Sequence, residues 1–283
     1  MRVLSHIRDL QKVLRKERGE GRSVGFVPTM GALHEGHLSI IRRSRAENGL
    51  TLCSIFVNPI QFNNPRDLEK YPRSLKQDLA LLEKEGCDLV FTPEAEEIYP
   101  GGKAESPPVD FGYLDRILEG KYRPGHFKGV ATVVKRFFDI IGPDRSYFGK
   151  KDYQQLLIVK KMVDALKIPV EIVPCPIVRE PDGLAMSSRN LRLTIGERKA
   201  APFIYEVLRE VKDKAGELAV GELKELALNR FSGRPEFRAE YFEIADAETL
   251  LPVGQIGNEV KAIACLAVFL GEVRLIDNME LFV

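Results

Sequence analysis

With 283 residues, 44% of them hydrophobic and 29% charged, the chain has the composition of an ordinary globular protein and enough length for two lobes. Its 42 Lys and Arg against 41 Asp and Glu leave a net charge of +1, which argues against the strongly basic surface of a nucleic-acid-binding protein. No stretch approaches the roughly 18 apolar residues that span a bilayer, and residues 1–19 lack the apolar run of a signal peptide.

Residues 1–19 are charged and amphipathic, with Val3, Leu4, Ile7, Leu10, Val13 and Leu14 as their apolar positions. Short apolar runs at 24–28, 51–57, 88–92, 146–148 and 170–173 read as strands, and helical periodicity fills 37–47, 75–85, 130–141 and 153–166. This alternation predicts the α/β class, a Rossmann-like parallel sheet with helices on both faces, over a domain of residues 1–176. Ligands of such sheets bind beyond the carboxyl ends of the strands, so the turns after the strands are where chemistry is sought.

From 177 to 193 the pattern becomes a Gly-, Ser- and Arg-rich connection, and Thr194 with Glu197 reads as a capping box. A helix over 195–215, a shorter one over 223–231 and strands over 238–244, 261–270 and 273–278 follow. They predict a smaller α+β C-terminal domain, residues 177–283, forming a lid over the site. Cys53, Cys87, Cys175 and Cys265 form no CxxC pair and read as buried thiols of a reducing compartment, so a cytoplasmic location is expected.

The strongest constellation is Pro28-Thr29-Met30-Gly31-Ala32-Leu33-His34-Glu35-Gly36-His37, directly after the first predicted strand. Its glycines permit a tight turn and a close approach to a ligand. The helix expected to start near Gly36 offers unpaired amides and a positive dipole end to phosphate. His34 and His37, three residues apart, can serve the same side as hydrogen-bond donors. A capped helix start with two surface histidines is the plain alternative, and zinc would need ligands that this HxxH does not supply.

Three further loops follow strands or join the lobes. Asn58-Pro59-Ile60-Gln61-Phe62 places two neutral amides where hydroxyl or carboxylate groups can be recognised, or forms a solvated Asn-Pro turn. Phe148-Gly149-Lys150-Lys151-Asp152-Tyr153-Gln154-Gln155 brings Lys151 as a point charge for phosphate, with Gln155 one turn beyond it. Met186-Ser187-Ser188-Arg189-Asn190 offers hydroxyls and a guanidinium fork that can grip a triphosphate. Arg123 and Lys128 flank Pro124-Gly125-His126-Phe127, a glycine-bearing loop with a candidate substrate role.

His34-Glu35-Gly36-His37 and the Met-Ser-Ser-Arg segment resemble the HIGH and KMSKS signatures of the adenylate-forming nucleotidyltransferase superfamily. The fuller strings PTMGALHEGH, VNPIQF, YPR (Tyr71 to Arg73), FGKKDYQQ and GLAMSSRN, in this order between residues 28 and 190, are similar to those of the pantothenate synthetase (pantoate–β-alanine ligase) family. The resemblance implies condensation of (R)-pantoate with β-alanine, driven by ATP through a pantoyl-adenylate and releasing pyrophosphate and AMP. It implies ATP contacts from Pro28 through His37, from Gly149, Lys150, Lys151 and Asp152, from the backbone of Val178, and from Met186, Ser187, Ser188 and Arg189. Gln61, Gln155, Asn58 and Arg123 would serve pantoate and β-alanine, and His34, His37, Lys151 and Arg189 the catalysis. Asp78 matches an acidic residue near the Mg²⁺–phosphate region of the family, although its neighbour Gln77 departs from relatives with a second acid there. The resemblance also implies a homodimer.

The chemistry is self-consistent. A carboxylate with a pKa near about 4 is ionised at neutral pH and needs no base for its attack on phosphorus. The step requires in-line alignment and neutralisation of phosphate charge. The competing readings are another nucleotidyltransferase of the superfamily acting on a phosphorylated metabolite, and a non-catalytic nucleotide-binding protein. The Gln61 and Gln155 amides beside intact phosphate-binding strings weigh against both.

Overall fold

The structure is a computed structural model that describes residues 1–257 and 261–281. The chain divides into two compact units, Met1–Lys150 with Ile158–Pro176, and Lys151–Leu157 with Ile177–Val283. The short segment Lys151–Leu157, which the sequence pattern places in the first domain, thus belongs with the second unit.

The first unit is built on six strands: β1 (Arg2–Leu4), β2 (Val24–Thr29), β3 (Leu50–Ile55), β4 (Leu89–Phe91), β5 (Arg145–Gly149) and β6 (Glu171–Cys175). All neighbouring pairs are parallel, in the order β1-β4-β3-β2-β5-β6. Its helices are α1 (Ile7–Gly19), α2 (Glu35–Glu47), α3 (Pro65–Glu69), α4 (Leu75–Lys84), α5 (Ala95–Ile98), α6 (Glu119–Tyr122) and α7 (His126–Ile141). The helix α8 (Tyr153–Leu166) crosses the division between the units.

Alternation along β2 decides which helix covers which face. Phe26 stacks edge-on with Phe137 and Phe138 of α7, at 5.6 and 6.5 Å between ring centroids. Val27 points the other way, into a core with Ile40 and Ile41 of α2 and Leu82 of α4. Gly25 shares that second face. A Cβ there would lie 2.3 Å from Ser44 Oγ and 2.4 Å from Asn48 Nδ2, so only glycine lets α2 come this close. The sheet is therefore covered on both faces, and its central strands are buried almost throughout, as parallel sheets require.

The chain runs outward from β2 through β3 to β4, then returns to β5 on the other side of β2. The order reverses there, and the crevice beyond the carboxyl ends of β2 and β5 is the ligand position of this topology. The register opens it. β2 pairs with β3 through Thr29, but with β5 only at Gly25 and Phe26. Pro28 has no N–H to continue a ladder toward β5.

In the second unit α9 (Ile195–Ala200), α10 (Phe203–Asp213) and α11 (Val220–Ser232) precede an antiparallel sheet of β7 (Phe237–Asp246), β8 (Ala262–Leu270) and β9 (Val273–Glu280). The central strand β8 is buried almost throughout. Val207, Leu208 and Val211 of α10 and Leu223 and Phe231 of α11 form one core with inward residues of the sheet.

Two expectations need correction. The helix expected over 195–215 is two helices. Pro202 lacks the amide for an intrahelical bond, and α10 begins only at Phe203. The strand β1 at the sheet edge is absent from the sequence reading; with three residues and mostly exposed side chains it carries no period-two signal. The capping box is present, with Thr194 Oγ1 accepting from Glu197 N at 3.3 Å and Glu197 Oε2 accepting from Thr194 N at 2.8 Å. Among the described residues, no helix is long and apolar enough to cross a membrane.

Candidate active site

The loop after β2 is held in a demanding conformation. Gly31 and Ala32 both have positive φ, 77° and 49°. At Gly31 a Cβ would also approach Asp78 Oδ2 to 3.0 Å and Ile55 to 3.1 Å, so glycine is required twice over. Ala32 tolerates its left-handed backbone because its amide is captured: Asp78 Oδ2 accepts from Ala32 N at 3.0 Å, and Asp78 Oδ1 accepts from Leu33 N at 2.8 Å. Ser74 Oγ donates to the same carboxylate at 3.1 Å. Asp78 lies in the first turn of α4 and is 1% exposed. The sequence reading points it toward a metal ion; in the structure both of its oxygens accept from the loop backbone. Among the described residues no group of three or more His, Cys, Asp or Glu could chelate a metal ion.

Beyond the loop, His34 is the N-cap of α2, one residue earlier than expected, and the helix begins at Glu35. His34 and His37 lie with ring centroids 4.1 Å apart and planes tilted by 38°. His37 Nδ1 accepts from the His34 backbone N–H at 3.4 Å. In the neutral ring this places the proton on Nε2. Both rings stand at the positive end of α2, where unpaired amides favour an anion.

The loop after β3 differs from the solvated turn considered as the alternative. Pro59–Gln61 forms a single 3₁₀ turn, Asn58 is 1% exposed and Gln61 7%. Asn58 Nδ2 donates to Gln61 Oε1 at 3.0 Å and to Gly129 O at 3.2 Å, while Tyr99 Oη donates to Asn58 Oδ1 at 2.9 Å. Gln61 Nε2 lies 3.1 Å from Met30 Sδ, which brings the loops after β2 and β3 together. The buried His126 bonds through Nδ1 to Gln61 O at 2.9 Å. Arg123 pairs with Glu119 of α6 at 3.4 Å. Gly149 ends β5 opposite Cys175, and Lys150 follows in the 3₁₀ turn Lys150–Asp152.

The remaining predicted residues belong to the second unit. Lys151 and Asp152 lie in that 3₁₀ turn, so the regular helical spacing expected between Lys151 and Gln155 does not apply; Gln155 sits in the first turn of α8. Asn278 Nδ2 of β9 donates to Lys151 O at 2.9 Å. Val178 O accepts from Met186 N at 3.0 Å, and Arg179 bridges to Ala185, so residues 178–186 form a tight hairpin. Ser187 Oγ accepts from Arg189 N at 3.2 Å and starts the 3₁₀ turn Ser188–Arg192. Lys151, Ser187, Arg189 and Asn190 line one concavity with Arg274 and Asp277. Lys151, Arg189 and Arg274 bring positive charge to this hollow beside the Asp277 carboxylate, with Arg274 also paired to Glu240.

Sequence reasoning missed Tyr99, His126 and Arg274. His126 opens α7 just after a glycine-bearing turn that does stand out in the sequence, but its bond to the Gln61 carbonyl spans 65 residues and leaves no local signal. Arg274 reads as an ordinary strand residue; only the register of β9 brings it beside Glu240, whose Oε2 accepts from Arg274 Nη2 at 2.6 Å.

Comparison with known proteins identifies the family. A sequence model described as Pantoate-beta-alanine ligase matches residues 2–280. The chain is 47% identical to the pantothenate synthetase of Bacteroides thetaiotaomicron over 280 residues, 99% of each chain. It is also 47% identical to that of Christiangramia forsetii over 282 residues, again 99% of each. Among solved structures, pantothenate synthetase from Thermus thermophilus superposes with a TM-score of 0.93 at 46% identity, covering 100% of both chains. Pantoate-beta-alanine ligase from Francisella tularensis, solved with beta-gamma ATP and beta-alanine, gives a TM-score of 0.83 at 37% identity over 99% of this chain and 97% of that one. By its sequence, from residue 2 to residue 280, and by its fold, the chain belongs to the pantoate-beta-alanine ligase family.

Proposed function

We propose that the chain condenses (R)-pantoate with β-alanine at the expense of ATP. In the first step a pantoate carboxylate oxygen attacks the α-phosphorus, a P–O bond forms, and pyrophosphate leaves with the electron pair of the bond broken. In the second step the neutral amine of β-alanine attacks the acyl carbon of the pantoyl-adenylate. An amide bond forms, AMP departs, and the amine proton passes to solvent. The observation that carries the reading is the His34–His37 pair at the N-terminus of α2, beyond the strand at which the sheet order reverses.

In this reading Met30 through His37 surround the nucleotide, and His37 Nε2–H donates to phosphate oxygens as their charge grows. Lys151 and Arg189 supply positive charge for the triphosphate. Gln61 and Gln155 hold pantoate, with Asn58 behind Gln61. Asp78 with its committed oxygens is a poor direct ligand for Mg²⁺. The ion is taken to arrive on the triphosphate, keeping water and phosphate oxygens as its ligands, as Mg²⁺ commonly does. A cytoplasmic homodimer belongs to the same reading.

The test is isotope exchange between pyrophosphate and ATP. Exchange that requires pantoate and proceeds without β-alanine supports the adenylate; exchange without pantoate, or none with it, contradicts it.

A further inference from the structure

Tyr99 follows α5 directly, is 6% exposed, and has its ring 6.2 Å from that of Phe56. One backbone group settles the orientation of the amides beside it. The Gly129 carbonyl can only accept, so the Asn58 atom 3.2 Å from it is the amide nitrogen. The Asn58 oxygen therefore faces Tyr99, whose hydroxyl is the donor at 2.9 Å. The Asn58 nitrogen also reaches Gln61 at 3.0 Å, so the Gln61 atom there is its oxygen. What Gln61 turns the other way is its NH₂ group, met at 3.1 Å by the thioether of Met30, a weak acceptor. Burial pushes the Tyr99 hydroxyl well above its ordinary value, which keeps the proton in place for donation.

We infer that Tyr99 is a positioning residue that acts through Asn58 to hold the Gln61 amide with its NH₂ group toward the acid substrate. Gln61 then offers a ligand donors only, and the group it receives must be an oxygen able to accept, a hydroxyl or carboxylate oxygen of a hydroxy acid. A group that can only donate, such as an ammonium in the same place, is refused. The inference rests on the reading that Gln61 holds pantoate.

Tyr99→Phe keeps the ring beside Phe56 and removes only the hydroxyl. The expected result is a KM for pantoate raised about tenfold, the size of one buried neutral hydrogen bond, with the KM for ATP within about twofold. An unchanged KM for pantoate, or equal rises for both substrates, overturns the inference. Asn58→Asp provides the second arm. A carboxylate still accepts from Tyr99 but cannot donate to Gln61, so the KM for pantoate rises more than in Tyr99→Phe. Because Tyr99 acts through Asn58, the double variant is no worse than Asn58→Asp alone, and additive losses contradict the relay. Wild-type protein without pantoate-dependent turnover would overturn the underlying reading instead, which separates the two failures.

Discussion

Arg179 and Asp277 form a two-armed ion pair, Nη1 to Oδ2 at 2.6 Å and Nη2 to Oδ1 at 3.0 Å. The guanidinium also donates to Gly183 O at 3.1 Å and to Asn278 O at 3.2 Å, and lies over the Tyr205 ring at 4.5 Å. Burial pushes the Asp277 carboxyl up from its ordinary value, and Arg179 opposes that shift. Through this pair and the Asn278 bond to Lys151 O, β9 fixes both the hairpin before Met186 and the turn that carries Lys151.

Asp277→Asn leaves a partly buried guanidinium without its charge partner. Breaking such a pair costs about 3–5 kcal/mol, and the expected loss lies toward the lower figure because Arg179 keeps two carbonyl acceptors. Denaturant unfolding of the single variants and of the double variant with Arg179→Met measures it. The double variant should be more stable than the sum of the two single losses predicts.

Asp78→Asn removes one of the two acceptors that hold the Ala32 and Leu33 amides. A buried donor left without a partner costs about 1–3 kcal/mol, so kcat/KM for ATP should fall roughly 10- to 100-fold as the loop loosens. Titration of residual activity with Mg²⁺ checks the assignment. The half-saturating concentration should stay at the wild-type value, whereas a marked rise would make Asp78 a metal ligand.

Gly129→Ala probes the turn carrying Gln61. A Cβ at this position would lie 2.6 Å from Ile60 O and 2.7 Å from Gln61 Cα, both too close for contact and both on the main chain. Forcing such an overlap typically costs about 1–3 kcal/mol. A lower melting temperature together with loss of pantoate saturation is the expected outcome.

Much of the fold is legible in the residues because β2 to β5 are short, largely buried runs between amphipathic helices. The glycine turns before His34 and the Asn-Pro turn after β3 announce themselves through Gly, Pro and Asn, the residue types that mark turns at strand ends. What stays hidden is long-range or depends on register. Tyr99 reaches Asn58 across 41 residues, and Asn278 reaches Lys151 across 127. Pro202 is a readable signal, since a proline inside a helical pattern marks a break. Asp78 belongs with the long-range cases. An acid near a phosphate loop reads as a candidate metal ligand, while its bonds to the Ala32 and Leu33 amides span 46 and 45 residues and leave no local signal.

Glu97 offers a pH test away from the site. Its carboxylate accepts from Ile7 N at 2.7 Å, which serves the start of α1, and lies 3.2 Å from His6 Nδ1. The Ile7 amide first, and His6 second, hold its pKa below the ordinary value of 4.5. A lowered folded-state value means stability that is present above about pH 4.5 and lost as pH falls through the folded value. Glu97→Gln should lower the melting temperature at pH 7, and the two curves should converge as pH falls through the lowered folded-state value.

The most direct test is AMP release by the purified protein with ATP and Mg²⁺, omitting pantoate and β-alanine in turn. AMP should appear steadily only when both are present, one for each pantothenate formed. Sustained AMP release without β-alanine, or none from folded protein given all three substrates, would contradict the proposed reaction.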